Sequence, residues 1–470
     1  MTSDVVLLSG DGLDCRSVAA VARRRARVTV TDAGRRNAAA AHAAVRGITE
    51  DRAVYGRTTG VGANRNVATE GDGHGLRLLR SHAGGAGPAV PPDVARAMLV
   101  VRLNQFARGG AGVEPELVDV LVAAINDGRT PPLRRYGAIG TGDLTALATT
   151  ALCILGERTW DGGSAPPHPI ADADALAFIS SNAATIGEAA LVCVDLNRLA
   201  EVALVVAALS IVAAGASPEP YAEVVQAARP HPGQAATAAR MRALLGDGYQ
   251  PGGGVQDSYG FRAIPQVHGP VVDAIDRLEQ VITVDANAAA ENPLIDAAVG
   301  RAWHNGNFHS AYLGLALDQV GAAIAQAGTL SVARLAHLLA GPPAFLATGP
   351  PGSSGLMILE YIAYAALADL RHQTTPLSGG SVALSMGTED HASFATQSAY
   401  RLGVAARAYL TVVACEVVAA ARALRLRHRT PPPALQPFWD RFAAALGDDM
   451  ADRSLEADLD AAAILLEDAL

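Results

Sequence analysis

The 470-residue chain is long enough to bury a large core, and length alone permits two or three domains. Hydrophobic residues make up 50% but aromatics only 4%; alanine, which favours helix over strand, supplies much of the apolar share, so helical packing is expected. A formal net charge of -9, with Lys+Arg 37 against Asp+Glu 46 spread along the chain, leaves no basic stripe for phosphates and excludes nucleic acid as an expected partner.

In chain order, the start lacks the basic stretch and small-residue cleavage site of a secretory signal, so a cytoplasmic protein is expected. Two short β-like runs, residues 5–8 and 27–31, flank an alanine-rich helical piece and predict a small α/β N-terminal part. Helices then dominate, separated by Gly- or Pro-rich breaks at 55–62, 84–92, 129–142, 162–169, 229–233, 252–254 and 341–355. Leu196, Leu199, Val202, Val206 and Leu209 recur at helical spacing, as do Leu313, Leu317, Val320 and Ile324. Long helices joined by loops predict a mainly α protein, an elongated helical bundle. We divide it into an N-terminal part, residues 1–195, and a central long-helix bundle with C-terminal helices, residues 196–470. The most apolar stretch, residues 202–216, falls short of the ~20 residues that cross a bilayer and reads as a buried bundle helix. No membrane association is expected. Alanine-rich helix faces call for a partner chain, so a homo-oligomer is expected. Cys15, Cys153, Cys193 and Cys415 stand far apart without a CxxC pair, which argues against a disulfide framework or zinc knuckle.

Chemistry-bearing residues cluster in a few loops. In VYGRTTGVG, residues 54–62, Tyr55 sits in a Gly-rich loop of the kind that closes over a substrate. A phenol titrates near ~10, so Tyr55 as a general base needs its anion stabilised by positive charge or donors; such a tyrosine also serves purely structural ends. In VQDSYGFRAIPQVHG, residues 255–269, Gln256, Tyr259 and Arg262 share a face if the segment is helical. The Arg262 guanidinium then clamps a carboxylate through parallel hydrogen bonds, or simply pairs with a neighbouring helix. His304 and His309 are five apart across an Asn-Gly turn, a poor zinc pair, and no metal is expected. Glu389, Asp390 and His391 offer a proton-handling carboxylate or helix-capping groups. Thr141 or Asp143 reads as the N-cap of a helix carrying Leu144, Leu147, Ala151 and Leu155, whose free N–H groups favour an anion.

The order of these segments resembles a known family. The Tyr55 loop, SHAGGAG (81–87), LNQFARGGAG (103–112), GTGDLTALA (140–148), ARPHPGQ (228–234), VQDSYGFR, ENPL (291–294), GNFH (306–309) and EDH (389–391) look like successive signatures of histidine and aromatic amino acid ammonia-lyases. The resemblance covers nearly the whole chain. It implies the family's mainly α, fumarase/aspartase-like fold, a homotetramer whose active sites draw on more than one chain, and carbon–nitrogen lyase chemistry on a small amino acid or carboxylate. Position by position, Tyr55 matches the loop tyrosine and Arg262 the carboxylate-binding arginine. His82 and Glu389 match residues that face the substrate side chain or move protons in the histidine-specific branch. Gln256, Tyr259 and Phe308 match wall and electrophile-supporting positions.

The departures matter more. Family members cyclise Ala-Ser-Gly into methylideneimidazolone, the electrophile that lets ammonia depart. Here GAIGTGDL, residues 137–144, is one residue shorter; aligned back from Asp143 the tripeptide is Gly140-Thr141-Gly142, and aligned forward from Gly137 the serine is missing. The family's Leu-Asn-Gly string appears as Ile179-Ser180-Ser181, with Ser180 at the asparagine position and Asn182 two places on, and Thr388 replaces a glutamine. Three related parts shift together, which favours loss of the prosthetic group. The leading expectation is an enzyme that needs no cofactor, in which Tyr55 abstracts a proton for elimination, addition or isomerisation, with a quaternary amine as one suitable leaving group. The alternative is a conventional histidine-like or aromatic amino acid ammonia-lyase with a modified imidazolone built from Gly140-Thr141-Gly142. A third reading is a catalytically silent homologue with a scaffold or regulatory role, against which the retained Tyr55, Arg262 and Glu389 argue.

Overall fold

The computed structural model describes residues 4–23, 26–69 and 72–468 of the chain, and these are mainly helical. The N-terminal expectation holds: Asp4–Leu8 pairs in parallel with Ala26–Val30, and the helix Cys15–Ala22 makes the crossover that a parallel pair requires. Asp14 starts that helix by accepting the Ser17 N–H at 2.7 Å, and Val18 and Val21 bury its inner face. Two short antiparallel pairs follow, Ala86–Ala89 with Arg134–Tyr136 and Leu294–Asp296 with Arg301–Trp303.

The chain forms two compact units, and each takes three segments. One comprises residues 1–194, 278–317 and 377–400; the other comprises 195–277, 318–376 and 401–470. The first unit thus takes in two segments that lie downstream of residue 195 in the chain.

In the first unit the helix Pro92–Arg108 is buried on all sides from Ala95 to Ala107. A helix without a solvent face has to satisfy its polar side chains internally. Arg102 pairs with Glu291 at 2.8 Å and donates to the Phe178 carbonyl, while Asn104 donates to the Ala286 carbonyl. In the second unit Glu416 is the polar centre. Its carboxylate accepts from Ser210 Oγ, Ser331 Oγ and both Nε and Nη2 of Arg334, at 2.5 to 2.9 Å, with Arg334 and Glu416 each 1% exposed.

The apolar rows read from the sequence are core. Leu196, Leu199, Val202, Val206 and Leu209 are buried on the helix Ala183–Ala214, and Leu313, Leu317, Val320 and Ile324 on the helix Ala311–Ala340. The length argument from residues 202–216 needs correcting. Asp172–Ala214, Ala311–Ala340 and Ala395–Leu426 are each long and apolar enough to cross a membrane by length and composition, yet 78%, 61% and 72% of their most apolar windows are buried inside the fold. Packing against other helices accounts for their composition.

Candidate active site

The residues just before four helices are knitted together in the first unit. Gly142 and Asp143 precede the helix Leu144–Ile154, Ser181 and Asn182 precede Ala183–Ala214, Ser310 precedes Ala311–Ala340, and Ser393 and Phe394 precede Ala395–Leu426. The Gly140 carbonyl accepts from Ser310 N–H and from Ser393 Oγ, both at 3.0 Å. Gly142 N–H donates to Asn182 Oδ1 at 2.8 Å, Asn182 Nδ2 donates to the Phe308 carbonyl at 2.5 Å, and Phe394 N–H donates to the Ile139 carbonyl at 2.9 Å. Helix N-termini carry partial positive charge, so their convergence favours an anion beside residues 139–143.

Asp143 stands at the start of Leu144–Ile154 but does not cap it with its side chain. Its carboxylate turns to the neighbouring helix instead, accepting Thr185 N–H at 2.7 Å and Thr185 Oγ1–H at 2.8 Å. The expected cap is thus the cap of a different helix. Burial, opposed by those hydrogen bonds, lifts the Asp143 carboxyl to about 6.

Above this floor lies a cavity of about 800 Å³, whose wall includes Tyr55, His82, Thr141, Ser180, Phe308 and Glu389. Six of the ten site residues expected from the sequence therefore meet at one place. Asn182 stands just behind the wall, and it, not Ser180, contacts the tripeptide; Ser180 Oγ accepts Asn292 N–H at 3.1 Å. The remaining three, Gln256, Tyr259 and Arg262, belong to the second unit and do not line the cavity. They do form a cluster of their own: Arg262 Nη1 donates to Gln256 Oε1 at 2.9 Å, and its guanidinium lies 4.4 Å from the Tyr259 ring centre. Only Tyr259–Arg262 is helical there, so Gln256 joins from a loop and not from a shared helix face.

The Tyr55 hydroxyl oxygen accepts Gly62 N–H at 2.9 Å. Burial raises the phenol above its ordinary pKa; the Gly62 N–H and Arg65 oppose that rise and Glu389 adds to it. The loop is less free than its glycines suggest. Arg57, 8% exposed, donates to the carbonyls of Ala173 and Ala111 at 2.7 Å and lies 3.6 Å from Asp174, which nails down the stretch around Tyr55.

His82 Nδ1 lies 2.9 Å from the Leu78 carbonyl and 3.0 Å from Ser81 Oγ, which orients the ring in the cavity wall. His309 Nε2 and His391 Nδ1 stand 2.8 Å apart. Burial, with a second contribution from His391, lowers the His309 pKa. Among the described residues no group of three or more His, Cys, Asp or Glu side chains is placed to hold a metal ion. Sequence reasoning missed Arg65 as a cavity part, and it placed His309 and His391 in the GNFH and EDH motifs without pairing them, because their contact joins segments far apart in the chain.

The family model for aromatic amino acid lyases matches residues 13–444. The chain belongs to that family. The histidine ammonia-lyase of Streptomyces coelicolor is 35% identical over 493 residues, covering 97% of this chain and 95% of that protein. Among solved structures, tyrosine aminomutase from Streptomyces globisporus superposes with a TM-score of 0.92 at 29% identity over 98% of this chain and 97% of the other. The ergothionase of Treponema denticola, at 23% identity, shares the fold with a TM-score of 0.92 over 99% of both chains.

Gly140 has φ +84°, and a β-carbon there would stand 2.1 Å from Ser393 Oγ and 2.9 Å from Ala395 N. Glycine is required there by both the left-handed backbone and the space, so no side chain fits at residue 140. The Thr141 hydroxyl has no hydrogen-bond partner among the described residues.

Proposed function

We propose that this aromatic amino acid lyase is a carbon–nitrogen lyase for histidine or a related amino-acid-derived carboxylate, working through side chains and peptide N–H groups without a methylideneimidazolone. Tyr55, as phenolate, takes a proton from the carbon next to the one bearing the amine. The C–H electron pair becomes the C=C bond, and the C–N pair leaves with the nitrogen. An ammonium departs as ammonia and a quaternary ammonium as a tertiary amine, so the leaving group needs no proton from the enzyme. The substrate's cationic nitrogen also supplies the positive charge that a Tyr55 anion requires against burial and Glu389. The substrate carboxylate is held by Arg262, braced by Gln256 and supplied by a second copy of the chain in a homotetramer.

The observation that carries the imidazolone-free reading lies at residues 140–142. Gly140 has no room for a β-carbon, and the Thr141 hydroxyl that dehydration would have to expel has no hydrogen-bond partner among the described residues. A second reading has its own support. Two donors polarise the Gly140 carbonyl and Asn182 holds the Gly142 N–H, an arrangement that favours attack of that nitrogen on that carbonyl and hence a conventional ammonia-lyase with a methyl-substituted ring.

Intact-protein mass spectrometry, paired with turnover of histidine and of its Nα-trimethylated form, separates the two. The expected mass is that of the unmodified chain, with formation of a conjugated acrylate that Tyr55→Phe abolishes. A mass lower by two waters overturns the imidazolone-free mechanism. Full activity in Tyr55→Phe removes the base.

A further inference from the structure

The residues that hold the donor of Tyr55 in place lie on a second loop. Ser385, Met386 and Gly387 follow one another with φ of 51°, 57° and 78°. A left-handed turn containing two residues other than glycine is uphill for the chain, and such conformations persist where surrounding contacts enforce them. Here the turn is closed at its base by Leu384 N–H to the Glu389 carbonyl at 2.7 Å and Glu389 N–H to the Leu384 carbonyl at 3.2 Å. Its tip meets the Tyr55 loop. Ser385 Oγ accepts Ala63 N–H at 2.8 Å, and Arg65 Nη1 donates to Thr388 Oγ1 at 2.7 Å. A β-carbon on Gly62 would stand 2.3 Å from Ser385 Oγ and 3.3 Å from Glu389 Oε1, so the two loops touch closely at the residue whose N–H holds the phenol.

We infer that Ser385 and Thr388, with Arg65, form a latch that fixes the 62–65 segment over Tyr55, and that they are positioning residues for the phenol. The inference rests on Tyr55 being the base of the proposed reaction. The path is short and continuous: Ser385 anchors Ala63, the neighbouring Gly62 N–H reaches the Tyr55 oxygen, and Thr388 anchors Arg65, whose charge favours the phenolate. Thr388 occupies the place where the sequence resemblance leads one to expect glutamine. Its hydroxyl accepts from the Arg65 guanidinium, which makes this position part of the latch.

The test uses full-length protein and needs no turnover, so it stands apart from the lyase assignment. Amide hydrogen exchange of residues 62–67 is measured in wild type, Ser385→Ala and Thr388→Val, and the Tyr55 phenol is titrated by NMR with ring-carbon-labelled tyrosine, assigned with Tyr55→Phe. Losing one such hydrogen bond speeds exchange by roughly 2- to 10-fold. The Tyr55 pKa should rise as its N–H donor loosens, because that donor favours the anion. Thr388→Ser, which keeps the hydroxyl that accepts from Arg65, should leave both readouts as in wild type. Where Ser385→Ala yields too little folded protein, Arg65→Met breaks the latch from the other loop. Unchanged exchange at 62–67, or an unmoved Tyr55 titration despite faster exchange, overturns the proposal.

Discussion

Replacing Asp143 with asparagine isolates the electrostatics beneath the cavity. The carboxylate is 1% exposed, and burial holds its folded pKa at about 6 against an ordinary 3.8. Asparagine fits the same place: its carbonyl accepts Thr185 N–H, and its amide donates to Thr185 Oγ1, whose hydroxyl then turns to Thr396 Oγ1 at 2.7 Å. Because the folded pKa is raised, Asp143 favours the folded state fully only below the unfolded value. That contribution is lost as pH rises through about 6. A shift of roughly two units at ~1.4 kcal/mol each corresponds to about 3 kcal/mol across the full window. Between about pH 7.5 and 4.5 the wild type should gain about 2 kcal/mol relative to Asp143→Asn. Asp285, also raised to about 6 by burial, is present in both proteins and cancels. Urea denaturation of the two proteins at a series of pH values gives the difference directly. A difference that stays flat over that range refutes the argument, because it means that Asp143 titrates where an exposed carboxylate does.

Three other perturbations have definite outcomes. Gly140→Ala should destabilise by about 2–5 kcal/mol, summing a left-handed backbone and a close contact, and a wild-type denaturation midpoint would contradict the geometry. Glu416→Ala leaves Arg334 buried without its partner and should cost about 3–5 kcal/mol by chemical denaturation, while the double change Arg334→Met with Glu416→Leu should lose distinctly less. Asn182→Ala frees both Gly142 N–H and the Phe308 carbonyl, so amide exchange at Gly142 should accelerate roughly tenfold or more; protection equal to wild type would show that Asn182 does not hold the loop.

Much of this was legible in the chain. The strands around residues 5–8 and 27–31 and the buried rows on Ala183–Ala214 and Ala311–Ala340 follow from side-chain periodicity, which reports burial directly. Tyr55, His82, Thr141, Phe308 and Glu389 were found through ordered motifs, and they share one cavity. What escaped depends on contacts between distant segments. Asp143 follows the sequence rule for a cap but serves the helix of Thr185, since the nearer acceptor need not be the better placed one. Asn182 replaces Ser180 at the tripeptide because chain direction, and not alignment position, decides which side chain reaches Gly142. Gln256, Tyr259 and Arg262 cluster as expected, though through a loop.

The anchoring of Arg57 has a consequence for how the enzyme could be switched. With Arg57 tied to the Ala111 and Ala173 carbonyls, and Tyr55 N–H donating to His304 Nε2 at 3.2 Å, the tyrosine rides on a fixed footing. The distal arm of that loop is held separately, by Ser385 and Thr388, and the arm carries the peptide hydrogen that steadies the phenol oxygen. Losing the arm's two contacts would therefore leave the tyrosine in position while removing the donor that favours its ionised form.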